Sequence, residues 1–227
     1  MATKQLLSDA ERERVAQAVA AAEQHSGGEI ATAIIAESDD YGFRELVFAI
    51  VVGFVAWTAA VAAAPGLSGI LDRVFWAWED WYLAVLQGAI GLIAGLVAYA
   101  VAQLPAVDRL IVSRRAMHEA VSRRARRHFM ECGAYDTVDR TGVLIFVSAL
   151  ERRVELIADR GIHERVAPET WQIIVQDLTK GIRAGRTADA LVEAVNACGQ
   201  VLAKHVTRRS DDTNELPNQP DELERGS

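Results

Sequence analysis

Two uninterrupted apolar runs constrain this chain more than any other feature. No charged residue occurs in residues 46–64, and none in 82–104, where Gln87 and Gln103 are the only amide side chains. Each run is close to the roughly 20 residues needed to cross a hydrocarbon core of about 30 Å. A buried helix of a soluble protein of this length carries a polar stripe, whereas both runs are apolar all round. They read as a transmembrane hairpin over residues 46–105, with spans at about 46–64 and 82–104. A polar, helix-patterned segment of about 40 residues precedes the first run, which argues against a cleaved signal peptide.

The loop between the runs is rich in aromatic residues. Trp76, Trp78, Trp81 and Tyr82 crowd the start of the second run, where amphipathic rings favour the headgroup level. The loop carries Arg73 against Asp72, Glu79 and Asp80. Arg44 precedes the first run, and Arg109, Arg114, Arg115, Arg123, Arg124, Arg126 and Arg127 follow the second. By the positive-inside rule both termini are cytoplasmic, and the expected location is the cell's inner (plasma) membrane. Cys132 and Cys198 then lie on the reducing side, and their spacing matches no metal motif. The net charge of -7 is uninformative about partners, since the arginines cluster beside the second run and many acids lie elsewhere.

The remaining sequence alternates helix and strand patterns. Ser8-Asp9-Ala10-Glu11 has capping-box spacing and opens a helix over 8–26, which Gly27-Gly28 stops. "EIATAIIAES" reads as a buried strand. After Pro105 a basic helix presents Met117, Val121, Ala125 and Phe129 on one face. Its arginines Arg114, Arg115, Arg123, Arg124, Arg126 and Arg127 are candidates for contact with anionic lipid headgroups. No recognition motif accompanies the charge, so nucleic acid is not an expected partner.

"GVLIFVSA" and "RVELIA", joined at Leu150-Glu151-Arg152, form an antiparallel hairpin. Pro168 opens a helix with Trp171, Ile174, Val175, Leu178 and Ile182 on its core face, and Gly185 ends it. A last helix over 187–205 presents Leu191, Val195, Cys198 and Leu202. Two spans return the chain to its starting side, so 1–45 and 106–206 read as one discontinuous domain. The fold class is therefore α/β: a small mixed sheet with flanking helices, interrupted by a two-helix transmembrane hairpin. The tail, 207–227, offers few apolar residues and is expected to be disordered.

Phosphate loops, nucleophile elbows and zinc-protease helices are absent from the sequence. The best chemical constellation is acidic. Asp136, Asp139 and Asp159 fall near one edge of the hairpin, where oxygen ligands suit Ca²⁺ or Mg²⁺, and a cation there would polarise a phosphate and activate water. Arg160 is the adjacent candidate phosphate contact and Gly161 a structural turn residue. The competing account is that each aspartate caps a turn and meets only water.

"TGVLIFVSALERRVELIADRGI" and "GIRAGRTADALVEAVNACGQVLAKHV" resemble the TPM domain family over about residues 116–206, and "LSDAERERVAQAVAAAEQHSGGEIATAII" resembles its earlier helix and strand. The two-span insertion resembles the family's bacterial membrane-protein branch. The resemblance implies an α/β sandwich-like domain, acidic metal binding in some members and the acid phosphatase activity proposed for plant members. Where many members carry Gly-x-Gly after the hairpin, this chain has Asp159-Arg160-Gly161. Two functions stand: a membrane-tethered module that binds membrane-protein partners at the cytoplasmic face, and a metal-assisted phosphatase.

Overall fold

A computed structural model of the chain describes residues 6–104, 107, 112–208 and 213–224; Pro105 and Arg109 lie outside the described residues. The chain divides into two compact units, one made of 1–39 with 115–227 and the other of 40–114.

In the first unit, α1 (Asp9–Glu23) starts on a complete capping box. The Ser8 hydroxyl accepts from the Glu11 N–H, while the Glu11 carboxylate accepts from the Ser8 N–H at 2.8 Å. Two of the helix's orphan donors are thereby satisfied. The strands β1 (Ile30–Ile35), β2 (Val143–Ser148), β3 (Arg153–Ala158) and β4 (Asp221–Leu223) form one sheet in the order β3-β2-β1-β4. β1 runs parallel to β2 with Ile30 opposite Val143, and β2 runs antiparallel to β3 with Val143 opposite Ala158. Every residue of β1 and β2 is buried, as expected of central strands covered on both faces.

One face packs Ile30, Ile34, Val143, Ile145 and Val147 against α1, α7 (Pro168–Arg183) and α8 (Thr187–His205). The other packs Ala31, Ala33, Ile35, Leu144 and Phe146 against Val121, Ala125 and Phe129 of α5 (Arg114–Glu131). The two long helices that follow β3 turn their expected faces to the core: on α7 Trp171, Ile174 and Leu178 are buried and Val175 and Ile182 partly buried, and on α8 Leu191, Val195, Cys198 and Leu202 are buried. A single turn, α6 (Arg160–His163), links β3 to α7.

The C-terminal segment departs from the expectation of disorder. Residues 221–223 form β4, which extends the sheet beyond β1 in parallel, with Ala33 opposite Asp221 and Ile35 opposite Leu223. Leu216 is buried with Ala31, Phe129 and Ala134. The physical reason lies in backbone pairing along a strand edge plus anchoring contacts, which supply order without apolar density.

The second unit holds α2 (Gly42–Ala62), α3 (Ala64–Val74) and α4 (Asp80–Ala102). At 21 and 23 residues, α2 and α4 are long and apolar enough to cross a membrane, and only 17% and 11% of their most apolar windows are buried. The two helices approach closely because of small residues. A Cβ at Gly53 would sit 2.9 Å from the Gly91 carbonyl oxygen, and one at Gly95 3.3 Å from that of Ala49. Ala49-x-x-x-Gly53 and Gly91-x-x-x-Gly95 thus face each other as small-residue helix contacts of the membrane type. Gln87 donates across the pair to the Ala60 carbonyl at 3.4 Å.

Candidate functional site

The acidic edge is a tight corner between the residues entering β2 and those leaving β3. The Asp159 N–H donates to the Gly142 carbonyl at 2.9 Å and the Gly161 N–H to the Arg140 carbonyl at 3.0 Å. Gly161 abuts this backbone: a Cβ there would meet the carbonyl oxygens of Arg140 and Asp139 at 2.6 and 2.7 Å. Arg140 has a positive φ of 55°, and its guanidinium donates to the Tyr135 carbonyl at 2.8 Å.

Within this corner Asp159 caps α6. Its Oδ1 accepts from the Arg160 N–H at 2.7 Å, and its Oδ2 lies 3.9 Å from Arg140 Nη1. Arg160, the candidate phosphate contact, is exposed and bound to Glu164 at 2.7 Å. That hydrogen bond holds the Glu164 carboxyl below its ordinary range and raises the guanidinium. Asp136 and Asp139 are exposed on the loop before β2. Among the described residues, no group of three or more His, Cys, Asp or Glu side chains is assembled to hold a metal ion. The three aspartates lie on the segments that enter β2 and leave β3, and Asp159 Oδ2 is buried without a hydrogen-bond partner. Asp39, by contrast, leaves β1 at its far end and pairs with Arg123 at 2.9 Å.

The basic helix divides by burial. Arg115, Arg123, Arg126 and Arg127 are exposed, as is Arg114 at the helix start, whereas Arg124 is 6% exposed and pairs with Glu131 at 3.1 Å. Arg124 is therefore removed from the candidate lipid contacts. It lies on the helix face that packs on the sheet, three residues after Val121, so its charge is neutralised inside the unit. Arg115 and Arg127 carry partners one turn on, Glu119 and Glu131, both at 2.8 Å. Burial opposes ionisation of Glu131, but Arg124 and Arg127 outweigh it and hold the carboxyl below its usual range.

Two polar clusters carry no sequence motif. At the ends of β1 and β2, Ser38, Ser148 and Glu151 are buried together. Glu151 accepts from the Ser38 N–H at 3.0 Å and from the Ser148 hydroxyl, and the Ser38 hydroxyl donates to Ser148 at 2.9 Å. Glu151 stands in the hairpin turn, where a charged residue signals only exposure. The second cluster, around His128 on α5, joins that helix to the C-terminal strand. A faint signal existed in its spacing, since His128 falls seven residues after Val121.

Neither cysteine is poised for chemistry. Cys198 is fully buried among the helices, and desolvation pushes its thiol up to about 12. Burial also raises the half-buried Cys132. Thiolate is the reactive form, so a thiol reagent is expected to modify Cys198 only on unfolding. Mass-spectrometric counting of adducts before and after denaturation checks this, and rapid modification of Cys198 in the folded protein would contradict the burial.

A four-stranded mixed sheet between helical layers, with a helical hairpin spliced into the β1-to-β2 crossover, defines a split α/β domain. Residues 107–201 match the family model of the TPM domain. That segment, which contains the hairpin, α7 and most of α8, is similar to the TPM domain family. The fold is similar to the NMR structure of BA42 protein from the psychrophilic bacterium Bizionia argentinensis, with TM-score 0.57 and 17% identity over 98% of this chain and 100% of that chain. Comparison with curated proteins gave no match.

Proposed function

We propose that the protein is a membrane-anchored binding module, whose α2–α4 hairpin crosses the bacterial inner membrane and whose split α/β unit collects partner proteins at the cytoplasmic face. The observation that carries the reading is the apolar surface of the hairpin. Phe43, Ile50, Phe54, Leu92 and Leu96 are all more than half exposed. An aqueous protein rarely tolerates so large a contiguous apolar surface, whereas a bilayer removes it from water. At a rise of 1.5 Å per residue, α2 and α4 reach about 31 and 35 Å, matching the hydrocarbon thickness.

An even number of spans leaves both arms of the split domain on one side, as a shared sheet requires. The excess of arginine flanking the hairpin over that in its loop supports the cytoplasmic side. Arg114, Arg115, Arg123, Arg126 and Arg127 supply positive charge for anionic headgroups. Binding is preferred to hydrolysis because Asp159 is committed to capping α6 and Asp136 and Asp139 are not gathered around it.

Single cysteines at exposed sites test the anchoring and its orientation. In intact cells carrying Cys132→Ser, a membrane-impermeant thiol reagent is expected to label Glu79→Cys directly and Glu169→Cys only after permeabilisation. The opposite pattern would invert the topology. Release of the protein from membranes by alkaline carbonate would overturn the anchor itself.

A further inference from the structure

Between the two long helices of the second unit, α3 starts anew at Ala63, whose carbonyl accepts from the N–H groups of Gly66 and Leu67 at 3.0 and 3.1 Å. It has 11 residues. At 1.5 Å per residue that is about 16 Å, too short to cross a hydrocarbon core of about 30 Å. Its apolar residues nevertheless form one stripe. Leu67, Ile70, Leu71 and Val74 stand at i, i+3, i+4 and i+7, with Ser68, Gly69, Asp72 and Arg73 on the other side. Only one flank of the stripe is used inside the unit: Leu71 is buried, whereas Ile70 is 51% and Val74 67% exposed.

Side chains fix the end of α3 to the start of α4. The Trp78 indole N–H donates to the Asp72 carboxylate at 2.8 Å, and Phe75 stacks on Tyr82 with ring centroids 5.6 Å apart. Trp76, between these two contacts in the chain, is fully exposed. Apolar exposure thus continues along the chain from Val61 at the end of α2, through Ile70, Val74, Phe75 and Trp76, to Val85 in α4.

Water alone is a poor neighbour for such a surface. The hydrocarbon interior is equally unsuited, because Asp72 and Arg73 are exposed on the opposite side of the helix. The boundary between headgroups and acyl chains accommodates both sides at once, and indole and phenol rings favour the same depth. Attraction to anionic headgroups is not what draws the segment there, since Asp72, Glu79 and Asp80 outnumber Arg73. The apolar stripe is.

We propose that α3 is an interfacial helix that lies along the headgroup boundary at the loop end of the hairpin, with Ile70, Val74 and Trp76 among the acyl chains and Gly69 and Arg73 towards water. Its occupant is the lipid surface of the same membrane that α2 and α4 cross. The contact sets the depth of the hairpin, because withdrawing α3 from the boundary would return its stripe to water. The inference rests on the membrane reading, and the experiment separates the failure of one from that of the other.

Nitroxide labels on single cysteines of the full-length Cys132→Ser protein, reconstituted in phosphatidylcholine vesicles, test it; Cys198 is buried and does not compete for label. Spin-relaxation measurements compare collision with molecular oxygen, which concentrates in hydrocarbon, and with a water-soluble nickel chelate. Ile70, Val74, Gly69 and Arg73 are replaced in turn, and a Cβ at Gly69 meets nothing within 4 Å. The oxygen-to-nickel ratio is expected to be several-fold higher for Ile70→Cys and Val74→Cys than for Gly69→Cys and Arg73→Cys, placing the first two about 5–10 Å below the headgroups. Adding phosphatidylglycerol should leave that contrast unchanged. A contrast that appears only with phosphatidylglycerol, or equal ratios at all four positions, would overturn the proposal. So would labels at Ile70 and Val74 shielded from both reagents, since a protein surface would then cover the stripe. Phe54→Cys in α2 keeps the two readings apart. A high oxygen ratio there beside equal ratios on α3 removes the interfacial helix alone, whereas nickel access at Phe54 removes the spans and α3's place together.

Discussion

Glu151→Ala is expected to lower the unfolding free energy of the α/β unit by about 3 kcal/mol, as removing one partner of a buried polar network does. The carboxylate accepts from the Ser38 N–H and the Ser148 hydroxyl, and the Ser38 hydroxyl in turn donates to Ser148. All three residues are buried, so water does not readily replace the lost acceptor. Ser38 follows β1, Ser148 ends β2 and Glu151 turns the hairpin, so the network ties the end of one arm of the split domain to the other. Backbone bonds from Ala149 to Ile35 at 3.0 Å and from Leu150 to Ala36 at 2.9 Å run alongside it. Glu151→Gln keeps the shape and one acceptor, and is expected to lose roughly half as much. Thermal unfolding in detergent, with exposed Glu169→Ala as control, checks the ranking. A Glu151→Ala protein as stable as the control would show that the network contributes nothing net.

Much of the domain was legible because its elements are locally consistent. The Ser8 to Glu11 spacing specifies the start of α1, Pro168 that of α7, and Gly185, with a φ of +77°, the end of α7. The uninterrupted apolar run from Val143 to Val147 reports burial on both faces of β2. β4 was not legible, because Asp221-Glu222-Leu223 has no strand-like composition. Its order comes from the edge of β1 and from Arg12 and His128, which lie far away in sequence.

Arg124 was misplaced for a related reason. Residue type marked it as surface, whereas its position between Val121 and Ala125 put it on the buried stripe. Antiparallel pairing, legible from the short link between the two runs, brings the end of β3 back to the start of β2. Whether side chains converge depends on rotamers and turn geometry, which hydrophobic pattern does not encode. Here Asp159 turns its Oδ1 to the Arg160 amide.

Gly142→Ala is expected to cost about 3 kcal/mol or more, because the new methyl has no direction in which to relax. Its Cβ would fall 2.0 Å from the Ala134 carbonyl oxygen, so backbone rather than a side-chain end must move. Ala134 is itself held, buried in the turn that Gly133 enters at a φ of +79° and that the Asp136 N–H closes onto the Gly133 carbonyl at 2.9 Å. On the other side, Gly142 is pinned by the Asp159 N–H, and its neighbour Val143 donates to the Glu29 carbonyl at 2.8 Å. Gly185→Ala provides the contrast: it meets nothing within 4 Å and is strained only by its left-handed backbone, a loss of about 1 kcal/mol. Comparing the two by thermal unfolding separates collision from conformational strain. Equal losses would mean that the 134–142 loop yields, and the corner holding Asp139, Asp159 and Gly161 would then be pliable enough to rearrange around a ligand.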